Sequence, residues 1–88
     1  MDTNSRLQSN IVKTYIFTFH THFEAVSAFK TIKACPNISE LKMIAVPRKL
    51  SSSCGTALRV KSSQLDILPD FVYDTRYECV SDDVFIAI

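Results

Sequence analysis

From Lys13 to His20 the chain carries Tyr15, Ile16, Phe17, Thr18 and Phe19, aromatic or β-branched almost throughout. Such side chains suit a pleated strand, and their unbroken apolarity predicts a central strand covered on both faces. The period then changes. Ala25, Val26, Ala28, Phe29 and Ile32 recur at i, i+3, i+4 spacing, which gathers them on one face of a helix near 22–34. Thr21 and Glu24 form a capping box at its start. Lys30 and Lys33 fall in its last turn, where cations suit the helix dipole, and Pro36 ends it.

A second strand follows at Leu41 to Val46 and stops at Pro47. Thr56 to Lys61 alternates as a third strand, with Leu58 and Val60 directed to the core and Ala57 sharing the face of Arg59. Ser63 and Asp66 repeat the capping signal, and Leu65, Leu68 and Val72 share a helical face, which predicts a second helix near 63–73 shortened or kinked by Pro69. Tyr77 to Val80 and Val84 to Ile88 supply the last strand material around a Ser81-Asp82-Asp83 turn or bulge. The order β-α-β-β-α-β predicts an α+β ferredoxin-like sandwich, a four-stranded antiparallel sheet with two helices on one face. Residues 1–10 are expected to be a disordered tail and 11–88 a single domain.

Composition narrows the functional classes. Hydrophobic residues make up 47% of the 88, enough for a folded domain with a modest core. Ten Lys and Arg against nine Asp and Glu give a net charge of +1. That balance argues against a dedicated nucleic-acid binder. No apolar run reaches the roughly 20 residues that span a bilayer, and Met1 to Asn10 carries no apolar signal-peptide core. The expectation is a cytoplasmic protein with no membrane partner. Cys35, Cys54 and Cys79 are odd in number and without C-x-x-C spacing, which speaks against a disulfide framework or a zinc knuckle. No metal and no cofactor are expected. Cys35 and Cys79 read as small apolar packing residues.

Cys54 has a different setting. It lies in Pro47-Arg48-Lys49-Leu50-Ser51-Ser52-Ser53-Cys54-Gly55, beside the chain's single glycine. Arg48 and Lys49 favour the nucleophilic thiolate. Successive N–H groups and hydroxyls, Ser53 among them, suit an anion. Gly55 removes side-chain bulk next to the sulfur and permits backbone angles closed to other residues. The same residues also fit a plain solvated loop. His20 and His22 straddle the helix start, where a capping-region role competes with that of a base for Cys54.

This loop resembles that of the selenium/sulfur carrier protein-like family, a group of small bacterial domains. The family's Pro-Arg, hydroxyl-rich segment and Cys-Gly stand here as Pro47-Arg48, Ser51-Ser52-Ser53 and Cys54-Gly55, followed by Ala57-Leu58-Arg59. The resemblance covers roughly residues 13–75; the tail and Tyr77–Ile88 depart from it. It implies a stoichiometric carrier, not an enzyme. A persulfide or selenopersulfide would sit on Cys54, stabilised by Arg48, Ser53 and Gly55, with a cysteine desulfurase or selenium-handling enzyme as partner. Sulfur carriers with a Cys-Pro-x-Pro motif offer a second comparison at Cys35-Pro36, but Ile38 replaces the second proline, so that role is not assigned to Cys35. Two other classes remain open: a small regulatory or interaction module whose loop binds an anion or partner, and a thiol redox sensor, which needs a resolving cysteine near Cys54.

Overall fold

A computed structural model describes residues 12–36, 38–50, 55–63, 68–81 and 84–88. The elements are β1 (Lys13–Thr18), α1 (His22–Lys33), β2 (Glu40–Ala45), β3 (Thr56–Ser62), β4 (Thr75–Ser81) and β5 (Val84–Ala87). They build one antiparallel sheet in the order β2-β3-β1-β4-β5. β1 and β2 both run antiparallel to β3, so α1 crosses over β3 to join two parallel strands. β1 is central because its aromatic and β-branched run fits a strand with a neighbour on each side.

α1 forms as the periodicity requires. Ala25, Ala28 and Ile32 are buried, and Phe29 packs against the same core. The Glu24 N–H donates to the Thr21 hydroxyl at 3.1 Å, and Glu24 Oε1 accepts from the His20 N–H at 3.1 Å. Two backbone donors at the helix start are thereby satisfied. The sheet face beneath α1 presents Tyr15, Phe17, Phe19, Leu58 and Val60, all at most 5% exposed. Each buried side chain of this size contributes about 1.5–3 kcal/mol of apolar transfer energy.

The four-stranded, two-helix sandwich is not what the chain adopts. Among the described residues α1 is the only helix, and the sheet has five strands. Of the expected second helix, residues 64–67 lie outside the described residues, and 68–74 run without helix to β4. The reason lies in the pattern. Pro69 lacks a backbone donor and favours an extended residue before it. Phe71 and Tyr73 turn inward while Val72 between them is 63% exposed, a period of two instead of 3.6. The Phe71 and Tyr73 rings meet Phe17 edge-on at centroid distances of 5.0 and 5.3 Å, so this extended segment caps the core beside α1. The C-terminal material is not one broken strand either. β4 and β5 form a separate hairpin with a register shift between Cys79 and Ser81, and β5 becomes a sheet edge.

Residues 1–10, expected as a tail, lie outside the described residues. Among the described residues no helix is long and apolar enough to cross a membrane.

Candidate functional site

The loop that carries Pro47-Arg48 joins β2 to β3, which pair from Glu40↔Lys61 to Ala45↔Thr56. The Val46 N–H donates to the Gly55 carbonyl at 3.1 Å and extends that ladder by one step. The hairpin is therefore formed as far as Val46 and Gly55. The Leu50 N–H donates to the Pro47 carbonyl at 2.9 Å, which folds the first part of the loop into a turn. Arg48 and Lys49 lie exposed on that turn and make no ion pair with another described residue. Ser53 and Cys54 lie outside the described residues.

Gly55 opens β3, exposed to solvent. Its φ is not in the positive range, and a Cβ placed on it would meet nothing within 4 Å. The conformational reason offered for this glycine does not hold. Neither the backbone nor the space around it demands glycine in the isolated chain.

Topology adds a residue that spacing alone does not place here. His22 Nδ1 lies 3.1 Å from Thr56 Oγ1, a hydrogen bond between the first turn of α1 and the second residue after Cys54. The N-terminus of α1 and the β2–β3 loop therefore share one end of the sheet. Nothing in the sequence links positions 22 and 56; only the crossover over β3 does. His20 turns elsewhere, with Nε2 at 3.6 Å from Asp74 Oδ1. Phe23, beside His22, is 79% exposed and leaves an apolar ring in solvent near this end.

The other two thiols sit at the opposite end. Cys79 pairs with Thr14, and Thr14 with Lys61. Lys61 stands five residues along β3 from Thr56, roughly 17 Å, and Cys79 a further two strand spacings, roughly 10 Å, to the side. Cys79 therefore stands well away from Thr56 and the β3 end of the hairpin loop. Cys35 follows the far end of α1, about 20 Å from His22 by helix rise. Nor are these thiols core residues: both are only half-buried, and the Cys79 thiol donates to the Ser81 carbonyl at 3.1 Å.

The strongest electrostatics also lie at that far end. Glu40 Oε2 accepts from Arg59 Nη2 at 3.1 Å and lies 3.3 Å from Lys42 Nζ, while its Oε1 lies 3.3 Å from Lys61 Nζ. Bonds from Arg59, then Lys61 and Lys42, hold the Glu40 carboxyl at about 2, below the ordinary 4.5.

No curated protein and no solved structure matches this chain. The family model described as "Putative Se/S carrier protein-like" matches residues 14–78, from the start of β1 through the hairpin loop and into β4. The chain that presents Pro47-Arg48 and Cys54-Gly55 on this hairpin belongs to that Se/S carrier protein-like family.

Proposed function

We propose that this protein is a stoichiometric carrier of sulfur or selenium, with Cys54 as the carrying thiol. The Cys54 thiolate attacks the outer sulfur of a persulfide on a donor enzyme, such as a cysteine desulfurase. A new S–S bond forms on Cys54, the donor's S–S bond breaks, and the donor cysteine leaves as a thiolate that takes up a proton. An acceptor thiol then removes the outer atom by the same exchange. A selenium-handling donor supplies the selenium version. Catalysis belongs to the partners, and the carrier works in a reducing compartment such as the cytoplasm.

The observation that carries this reading is family membership across residues 14–78, which include the whole hairpin loop. Three structural features support it. Arg48 and Lys49 lie exposed on the turn that precedes Cys54, where cations favour a thiolate and a persulfide anion. Gly55, next in sequence to Cys54, has open space where a side chain would stand, room that suits an approaching partner. Cys35 and Cys79 both lie at the end of the sheet away from Thr56, which favours a carrier over a dithiol sensor.

Incubation with a cysteine desulfurase and cysteine, followed by intact-mass analysis, tests the reading. The expected result is a gain of one or more sulfur atoms that disappears in Cys54→Ser. No gain in the wild type, or an equal gain in Cys54→Ser, removes the carrier role and favours a regulatory module whose loop binds an anion or partner.

A further inference from the structure

The sheet has a second face, opposite α1. Register places Glu40, Lys61, Thr14, Cys79 and Phe85 in one row across it, and Lys42, Arg59, Ile16, Tyr77 and Ala87 in the next. These rows hold three cations against one carboxylate. Between them lies a cavity of about 400 Å³, lined by Ile16, Ile44, Phe85, Arg59, Lys61 and Cys79 among others. That volume lies within the range of small-ligand sites, about 300–1,000 Å³.

The hydrogen-bond inventory is incomplete on the cationic side. Arg59 has five N–H donors and Lys61 three. Arg59 gives one of its donors to Glu40 at 3.1 Å, and Lys61 Nζ lies 3.3 Å from the same carboxylate. Arg59 Nε is buried with no hydrogen-bond partner among the described residues. A buried unpaired donor carries a desolvation penalty that a bonded acceptor would offset. The remaining walls are mixed: Ile16, Ile44, Pro47 and Phe85 are apolar, and Thr14 and Cys79 are polar or polarizable.

We propose that this cavity binds a small organic carboxylate with a short apolar chain, its head on Arg59 and Lys61 and its chain against Ile16, Ile44 and Phe85. A carboxylate matches the planar fork of Arg59, and Ile16, Ile44 and Phe85 offer contact that a bare inorganic anion does not use. The cavity runs from Lys61 and Cys79 to Ile44 and Pro47 at the base of the hairpin loop, and the proposal does not rest on the carrier reading.

The test is a titration of the full chain with octanoate, 1-octanol and inorganic phosphate, followed through backbone amide resonances. Octanoate is expected to shift the amides of Thr14, Ile16, Ile44, Arg59, Lys61 and Phe85 saturably, to weaken with added salt, and to slow alkylation of Cys79. Octanol and phosphate are each expected to bind at least about tenfold more weakly, a difference of about 1.4 kcal/mol. Arg59→Gln should weaken octanoate by a similar factor. If Arg59→Gln does not fold, Lys61→Gln and Phe85→Ala replace it, each with a smaller loss. Absence of saturable shifts, equal binding of octanol or phosphate, or unchanged octanoate affinity in the folded variants overturns the proposal.

Discussion

At one end of the sheet Glu40 gathers Arg59, Lys61 and Lys42 around a single carboxylate. At the other, Arg48 and Lys49 stand exposed on the turn after β2 with no ion pair to another described residue. The thiols divide in the same way. Cys79 and Cys35 belong to the charge-knit end, and Cys54 is joined through Gly55 to the end where Thr56 meets His22. Cations that already share a carboxylate are partly neutralised; cations without one remain available to an incoming or developing negative charge. The proposed thiolate chemistry on the hairpin loop draws on this contrast.

The largest effect should come from the core that joins the two ends. Phe17 is 1% exposed and meets both Phe71 and Tyr73. Phe17→Ala should cost about 3–5 kcal/mol in denaturant melts, since it opens a cavity beneath the extended 68–74 segment. A loss under about 1 kcal/mol would mean that this segment does not cap the core.

Thr21→Ala acts at the loop end only. Loss of the Thr21 cap should cost about 1 kcal/mol and shift the His22 ring resonances, because the first turn of α1 holds His22 against Thr56. Unchanged His22 signals would break the link between α1 and the loop.

Glu40→Gln acts at the charge-knit end, and its signature is pH dependence. The folded carboxyl lies at about 2 and the ordinary one at 4.5. The contribution is therefore present above 4.5 and lost as pH falls through about 2. The stability difference between wild type and Glu40→Gln should shrink across that window. A difference that stays constant with pH would show that the three cations do not favour the ionised form.

The smallest effect belongs to Gly55→Ala. An ordinary φ and open space predict a change under about 1 kcal/mol, in the stabilising direction through the unfolded chain. A large loss would restore a structural reason for glycine there.

Much of the fold was legible because local signals agreed with the tertiary outcome. The Thr21–Glu24 box and the Ala25–Ile32 spacing specify α1, and the alternation of Leu58 and Val60 specifies the inner face of β3. The reading failed where two patterns competed. Leu65, Leu68 and Val72 suggest a helix, but Pro69 and the inward pair Phe71 and Tyr73 impose an extended path. The fifth strand was hidden because Ser81-Asp82-Asp83 serves a bulge within one strand as well as a turn between two. Residue types alone marked the loop as chemical. They could not place His22 beside Thr56 or converge Lys42, Arg59 and Lys61 on Glu40, since those contacts depend on register and crossover. Glycine's backbone freedom is legible in the residue type at position 55, but the chain does not use it there.

The central claim is that only the thiol at the hairpin end takes up the chalcogen. Peptide mapping of the desulfurase-treated protein, with persulfides trapped by alkylation before digestion, locates the transferred sulfur directly. The account predicts the modified cysteine in the peptide that contains Cys54, with Cys35 and Cys79 recovered as ordinary alkylated thiols. Transferred sulfur on Cys79 or Cys35, with Cys54 unmodified, would contradict it.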